Sequence, residues 1–430
     1  MKEYYNMMDM MKTMKCIVAV VPLALVLSVV SCGHTFRQAG DDDTIVAVVD
    51  TMELRYARGF KVRTLENGVK LVDVADPQTD EDRMPVSYHF ALIPKEQPIP
   101  NPSLGRGDFA DGEQEETSTP PQGGDRGGLR ESSYTPIHVP IDRTIVMTML
   151  QLSTFTVLDA LDVVRGITGT KNLFNKEVRA RVKDGRIMKI GMEGNFDTEL
   201  ILAADPEVIF ISPFKRGGYD AIKETGITLI PHLGYKELTP LGQAEWLKFV
   251  GLFLGKEAEA DSIFAGIESR YNSLKEKTKG TNSRQDGASL PTVFSGEMHG
   301  GNWYAVGGQS TLAQLFRDAG AEYVIKDDNT GGVNIEFEQL YSVAANADYW
   351  RILNSFPGDF SYEALRASEP RNELFRAFRE KKVIYCNMKQ TPYYELSPVQ
   401  PDVLLADLIA IFHPDLMPED YAPTFYRLLR

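Results

Sequence analysis

Aromatic and basic residues concentrate in a few loops of the sequence, each of which directly follows a predicted strand. The candidate ligand contacts in these loops are Phe214, Lys215, Arg216, Tyr235, His299, Trp303, Tyr304, Lys389, Tyr393 and Tyr394. Aromatic rings offer a broad apolar surface, whereas Lys and Arg bind anionic groups. The loops therefore predict a site for a bulky, partly apolar and anionic ligand. His299 and Tyr235 could also coordinate a haem iron directly.

These loops meet if the strands before them lie in parallel sheets. From residue 136 onward, β-rich runs such as EVIFIS and KVIYCNM alternate with helical patterns, which is typical of α/β lobes with parallel strands. Ligands of such sheets bind beyond the carboxyl ends of the strands, which is where the candidate loops lie. We therefore expect a ligand cleft between two α/β lobes.

A long helical region separates the two α/β series. At its start, Thr239 precedes Pro240, and these residue types are favoured at the N-cap and at the first helical position. After an interruption at Gly255, the pattern continues with Phe264 and Tyr271 on one helical face. The sequence therefore predicts two lobes joined by one long helix.

The N-terminal part of the chain differs in composition from the lobes. The apolar run over residues 16–31 follows Lys12 and Lys15 and is typical of a signal peptide, because it is short for a transmembrane helix. A β-hairpin is predicted at Asn67-Gly68. The predicted segments are a signal peptide (1–31), a tether (32–44), a β segment (45–98), a disordered loop (99–135), an N-lobe (136–254), a linker helix (255–279) and a C-lobe (290–430).

Composition and motifs disfavour several functional classes. A formal net charge of −14 argues against nucleic acid, which is bound mainly through Lys and Arg. No phosphate-binding, dinucleotide-binding, nucleophile-elbow or zinc-protease motif occurs in the sequence, so neither an enzyme nor a cofactor is predicted. A metal ion bound directly by protein side chains is not predicted either, because such a site needs ligands at close spacing. That spacing is lacking among His34, His89, His138, His232 and His413.

The order of several segments resembles one protein family. NFDTELILAADPEVIFI, STLAQLFRDAGAEYV and EFEQLYSVAANADYW follow one another as in the iron-chelate and vitamin B12 class of ABC-transporter substrate-binding proteins. The resemblance implies a class III periplasmic binding protein, with two Rossmann-like lobes joined by a single rigid helix. Such a protein binds a siderophore, haem or a corrinoid between its lobes and delivers it to the permease. The N-terminal β segment is an addition to that fold.

The resemblance also implies two contacts outside the cleft. VVSC resembles a lipobox, which implies that Cys32 is diacylated and anchors an extracytoplasmic lipoprotein, in the periplasm or at the cell surface, to the membrane. Glu199 and Glu338 match the family's permease-docking glutamates. In the C-lobe, the spacing from Glu338 to the motif that follows differs from the family pattern by two residues, so Glu336 is an alternative docking residue. A carboxylate in a first helical turn also stabilises the helix dipole, which is the alternative explanation for these glutamates.

Two other functions fit the same pattern. A surface lipoprotein could scavenge haem or a siderophore without an ABC partner, and a chelatase-like enzyme could use a similar bilobal scaffold. Among the ligands, a corrinoid needs aromatic walls but fewer cations than a ferric chelate does. The sequence leaves the choice of ligand open.

Overall fold

The computed structural model describes residues 35–37, 45–78, 88–95, 134–169, 173–192, 194–213, 219–279 and 289–430. The predicted signal peptide, Cys32 and nearly all of the predicted loop over residues 99–135 lie outside these ranges. Among the helices that are described, none combines the length and the apolar composition needed to cross a bilayer.

The N-terminal segment forms a six-stranded sheet. Its strands are β1 (Thr35–Arg37), β2 (Ile45–Thr51), β3 (Phe60–Leu65), β4 (Lys70–Val74), β5 (Tyr88–Pro94) and β6 (Thr135–Val139). They lie side by side in chain order, and only β5 and β6 pair in parallel. The predicted hairpin joins β3 to β4, and Gly68 takes a φ of 79° there, which residues with a Cβ adopt at a steric cost.

The N-lobe contains a five-stranded sheet in which all neighbours are parallel. Its strands are β7 (Thr144–Val146), β8 (Val164–Ile167), β9 (Met188–Lys189), β12 (Val208–Ile211) and β13 (Thr228–Pro231), and β10 (Gly191–Met192) and β11 (Asn195–Phe196) form a separate hairpin. The helices are α1 (Met149–Val157), α2 (Lys176–Lys183), α3 (Thr198–Ala203) and α4 (Asp220–Lys223). The order β13-β12-β7-β8-β9 places β7 and β12 centrally, and every residue of β12 is buried, as expected of a strand covered on both faces.

Two consecutive helices follow the N-lobe. In α5 (Pro240–Leu254) every residue except Gln243 is buried, and Gly255 ends the helix in the left-handed conformation. The linker helix α6 (Glu257–Lys279) has 23 residues, which corresponds to a length of about 34 Å. It packs against α5. The two lobes are therefore connected through a helix rather than through extended strands.

The C-lobe has a second five-stranded sheet in the order β17-β14-β19-β20-β21, which is parallel except at β21. Its strands are β14 (Thr292–Ser295), β17 (Glu322–Tyr323), β19 (Tyr349–Asn354), β20 (Val383–Asn387) and β21 (Arg427–Leu428), and an antiparallel sheet contains β15 (Glu297–His299), β16 (Asn302–Val306) and β18 (Gly332–Ile335). The helices are α7 (Thr311–Asp318), α8 (Phe337–Ala344), α9 (Tyr362–Ser368), α10 (Arg376–Arg379), α11 (Tyr393–Leu396) and α12 (Pro401–Phe412).

Two buried carboxylates bind the N-terminal segment to the N-lobe. Glu245 of α5 accepts hydrogen bonds from the backbone N–H groups of residues 55–57 at 2.8 to 3.2 Å. Glu237 accepts from the N–H groups of residues 58 and 59, both at 2.9 Å. These N–H groups lie against the buried surface of α5, where water has little access. The two carboxylates therefore supply the acceptors that the N–H groups need. The N-terminal sheet is thereby fixed to the helix beside the linker.

The linker helix is held from both sides. Near its middle, Glu268 accepts a hydrogen bond from the Tyr56 hydroxyl at 2.8 Å in the N-terminal segment. Further along, Tyr271 donates to Asp318 of α7 at 2.7 Å, and α6 packs on α12 of the C-lobe. Bending of the linker would therefore break contacts with three parts of the molecule.

We predict that Glu245→Ala lowers the free energy of unfolding by about 3 kcal/mol, because it leaves buried N–H groups without an acceptor. The urea midpoint of the full chain measures this loss. Glu259→Ala, which removes an exposed carboxylate from the first turn of the linker helix, is the control and should shift stability by no more than about 1 kcal/mol. Equal effects of the two substitutions would contradict an anchoring role for Glu245.

Candidate functional site

The two lobes meet at helices α1 and α11. The first begins directly after β7 in the N-lobe, the second begins shortly after β20 in the C-lobe, and the two helices pack against each other. A cavity of about 200 Å³ lies between the lobes at this point. This is the position beyond the strand ends at which α/β sheets bind ligands. Its lining is Met149, Gly169, Phe174, Met388, Thr391, Pro392, Tyr393, Tyr394 and Glu395.

The N-lobe wall of the cavity is apolar. Met149 is placed there because a capping box starts α1 immediately after the strand. In that box Thr148 accepts from the Gln151 backbone N–H, and the Gln151 side chain accepts from the Thr148 N–H. Phe174 lies just before α2, whose N-cap Asn175 accepts from two backbone N–H groups of the first turn. Local capping thus positions both apolar side chains.

The C-lobe wall carries a pair of tyrosines backed by a buried cation. Tyr393 and Tyr394 pack edge to face, with ring centroids 5.4 Å apart. Behind the wall, the Tyr393 and Tyr426 hydroxyls are 3.1 Å apart, and Arg351 donates to the Tyr426 hydroxyl at 2.6 Å. The guanidinium also lies over the Tyr426 ring. A chain of hydrogen bonds therefore runs from a cation to the cavity.

The guanidinium of Arg351, at the start of this chain of hydrogen bonds, has no direct counterion among the described residues. Its side chain is 7% exposed, and within the described ranges it forms no ion pair with a carboxylate. An arginine stays protonated at neutral pH, so its charge is stabilised mainly by polarised hydroxyls, with Glu297 interacting at longer range. The positive potential extends to Tyr393 at the cavity. This arrangement favours an anionic group of a ligand at the C-lobe wall.

A polar cluster lies at the ends of neighbouring C-lobe strands. Asn354 donates to Glu297 at 3.0 Å and accepts from the Tyr385 hydroxyl at 3.0 Å. Burial raises the pKa of Glu297, although the Asn354 hydrogen bond partly opposes this effect. The free thiol of Cys386 is buried beside the cluster, and burial raises its pKa to about 11. Cys386 is therefore an unreactive core residue at neutral pH.

Of the ten predicted ligand contacts, the structure brings Tyr393 and Tyr394 to the cavity. Tyr304, His299 and Lys389 are exposed on the C-lobe, outside the cavity lining. Phe214, Lys215 and Arg216 lie outside the described residues.

Trp303 is placed in the C-lobe core rather than on the cleft wall. The segment predicted as a loop folds into the β15–β16 hairpin, and the indole becomes fully buried among Phe294, Trp350 and Phe375. Its N–H donates to the Ser295 carbonyl at 2.9 Å. Neither the ring nor its polar atom faces the cleft, so Trp303 is a correction to the predicted contact set.

Tyr235 borders a second, much smaller space, which is lined mainly by the N-lobe and also by Pro398 and Val399 of the C-lobe. Its hydroxyl donates to the Pro213 carbonyl at 2.9 Å. The space also touches His232, whose buried Nε2 has no hydrogen-bond partner. Burial lowers the pKa of His232 to about 4, which keeps the ring neutral at physiological pH. At about 10 Å³, the space has room for roughly one water molecule and not for a chelate.

One buried carboxylate links the two lobes beside the cavity. Glu395 of α11 accepts hydrogen bonds from the backbone N–H groups of Phe174 at 2.5 Å and Asn175 at 2.8 Å. Burial raises the pKa of Glu395, and these two hydrogen bonds partly oppose the rise. Acidic residues are typical of solvated surfaces, so the sequence carries no local sign of this contact.

Both predicted docking glutamates are exposed in the first turn of a short helix. Glu199 lies in α3, whose N-cap Asp197 accepts from the Leu200 N–H at 3.0 Å. Glu338 lies in α8 and pairs with Arg371 at 3.5 Å. Glu336, the N-cap residue of α8, is exposed and makes no capping hydrogen bond. The geometry therefore leaves all three carboxylates accessible to a partner.

Within the described part of the chain, no group of three or more His, Cys, Asp or Glu side chains could hold a metal ion. The residues missed from the sequence are Met149, Phe174, Met388, Arg351 and Glu395. For the apolar residues Met149, Phe174 and Met388, the sequence does not show whether the side chain lines a cavity or packs in the core. The only available sign for Arg351 was a cation inside the otherwise largely apolar run YWRIL.

Comparison with known proteins identifies the family. Residues 148–389, which are more than half of the chain, match the sequence model of a protein family that is described as "Periplasmic binding protein". An uncharacterized lipoprotein of Methanocaldococcus jannaschii is 27% identical over 299 residues, covering 66% of this chain and 68% of the relative.

Solved structures share the fold at low sequence identity. A periplasmic haem-binding protein from Pseudomonas aeruginosa has a TM-score of 0.53 and 18% identity, over 67% of this chain and 98% of that chain. A periplasmic binding protein from Veillonella parvula has a TM-score of 0.50 and 13% identity, over 64% of this chain and 91% of that chain. The predicted class III fold with an additional N-terminal β segment is confirmed. The chain therefore belongs to the periplasmic binding protein family, whose members bind substrates outside the cytoplasm.

Proposed function

We propose that this protein is the substrate-binding lipoprotein of an ABC importer and that it captures an iron chelate or a corrinoid between its lobes. The cavity between α1 and α11 carries the proposal, because it lies beyond the strand ends of both sheets and presents aromatic and apolar walls. At about 200 Å³ it is smaller than a typical chelate, so binding requires the lobes to separate slightly or the ligand to extend toward Tyr304 and Lys389.

Arg351 favours an anionic chelate over a neutral one. A buried cation without a carboxylate partner attracts an anionic oxygen to the Tyr393 hydroxyl. Ferric catecholates and haem carry such groups, whereas a corrinoid offers mainly amides. The fold is shared with a haem-binding protein from Pseudomonas aeruginosa, and haem is a planar anionic chelate, which supports this preference. Among the candidates, we therefore rank an anionic iron chelate first.

Membrane attachment and delivery complete the proposal. A diacylated Cys32 would hold the protein at the membrane surface, and the relative from Methanocaldococcus jannaschii is itself named a lipoprotein. Glu199 on one lobe and Glu338 or Glu336 on the other would enter cationic pockets of the permease. Exposed Leu202 lies one helical turn after Glu199 and gives that contact an apolar part. A scavenger without an ABC partner would have no use for these carboxylates.

The ligand proposal is tested with purified protein and four chelates: a ferric tris-catecholate, haemin, a ferric tris-hydroxamate and cyanocobalamin. We expect Arg351→Met to weaken binding of the anionic chelates by about tenfold or more, because a charge-assisted contact contributes roughly 1.5–3 kcal/mol. Fluorescence quenching of the tyrosines measures the affinity. Arg366→Met, at a surface arginine of α9, is the control and should leave affinity unchanged. Failure of all four chelates to bind the unaltered protein would refute the proposed ligand class.

The docking proposal is tested with the cognate importer in proteoliposomes. Replacing Glu199 and Glu338 by Ala should reduce stimulation of the ATPase by about tenfold or more, because interfacial carboxylates paired with Arg contribute several kcal/mol. Chelate affinity should not change. Adding Glu336→Ala shows which C-lobe carboxylate docks, and Glu259→Ala on the linker helix is the matched surface control. Full stimulation by the triple variant would refute the docking assignment, whereas a lack of stimulation by the unaltered protein would favour the scavenger without an ABC partner.

A further inference from the structure

Glu395 occupies an unusual place for a carboxylate. Its side chain belongs to the C-lobe helix α11 and is 7% exposed, yet both of its oxygens are used by the N-lobe. The N–H groups of Phe174 and Asn175 donate one hydrogen bond to each oxygen. Glu395 and Asn175 are 220 residues apart in the chain. The contact is therefore a purely tertiary bridge between lobes.

The bridge completes the capping of an N-lobe helix. Asn175 satisfies the N–H groups of Glu177 and Val178 in α2, and Glu395 satisfies the N–H groups of Phe174 and Asn175 just before the helix. A carboxylate at this end of a helix also interacts favourably with the helix dipole. The bridge is thus favoured by charge as well as by hydrogen bonding, and opening it would leave the N–H groups of Phe174 and Asn175 without their acceptor.

The bridge also lies in the wall of the proposed ligand cavity. Glu395 and Phe174 both line it, and Glu395 directly follows the tyrosine pair of α11. When the bridge is closed, Tyr393 and Tyr394 are held at a fixed distance from Phe174 and Met149 on the facing wall. The cleft edge is the side of the cavity that this bridge closes. A ligand that enters or leaves the cavity at the cleft edge therefore has to break the bridge.

We propose that Glu395 is a positioning residue that latches the two lobes together over the bound ligand and sets its rate of release. This rests on the proposed function, since it requires a ligand in this cavity. The linker helix keeps the lobes near each other, and the Glu395 latch determines whether the cleft edge is open or closed. The residue acts through the lobe contact and need not touch the ligand itself.

The first test uses the full chain without any ligand. Hydrogen–deuterium exchange at the amides of Phe174 and Asn175 should accelerate by about tenfold or more in Glu395→Gln, because the neutral amide is a weaker acceptor. Glu245→Gln is the matched control, since it alters another buried carboxylate that binds backbone N–H groups away from the cleft. Unchanged exchange at residues 174 and 175 in Glu395→Gln, or equal acceleration throughout the C-lobe, would overturn the latch.

The second test measures ligand kinetics by stopped flow, using haemin and the ferric tris-catecholate as probes. Glu395→Gln and Glu395→Ala should raise the dissociation rate constant by about tenfold, while the association rate constant changes by less than about twofold. A loss of affinity that appears only in the association rate would contradict the latch. If neither probe binds the unaltered protein, the proposed ligand fails, whereas the exchange measurement still decides whether Glu395 closes the lobes.

Discussion

The packing of the linker helix between α5 and α12 is the constraint on which the rest of the structure depends. One neighbour belongs to the N-lobe side and the other to the C-lobe, and the linker helix is part of one hydrophobic core that extends through both lobes. A helix that is packed along its length cannot bend without losing those contacts. The lobes therefore keep a nearly fixed relation, and a site built from both of them can be shaped in advance of binding.

The N-terminal sheet strengthens this constraint. Its loop over residues 55–59 is bound by Glu237 and Glu245, and Tyr56 reaches Glu268 on the linker helix. Removing either carboxylate would leave buried N–H groups of this loop without an acceptor, which costs free energy. The attachment therefore depends on these two side chains. The additional segment is thus a brace on the linker helix rather than an independent module.

Buried charges recur at the places where separate parts of the chain join. Glu245 joins the N-terminal segment to α5, Glu395 joins the lobes, and Asp407 binds backbone N–H groups of the C-terminal segment over residues 424–426. Each accepts hydrogen bonds from backbone N–H groups rather than from a basic side chain alone. Such contacts require accurate geometry and fail if either partner shifts. They consequently define how the parts fit, whereas the apolar cores supply most of the stability.

The local sequence determined the elements, because strand alternation, helix caps and the long apolar helix are short-range signals. Thr239, Gly255 and the Asn67-Gly68 turn act where those signals predicted, and the two-lobed fold followed from the order of elements. Only the tertiary structure decided the site. Trp303 turned into the core because its loop pairs as a hairpin, and Arg351 and Glu395 gained their roles from partners far away in the chain. In a sequence, a buried charge looks the same as a solvated one, since its environment is created by residues that only folding brings near.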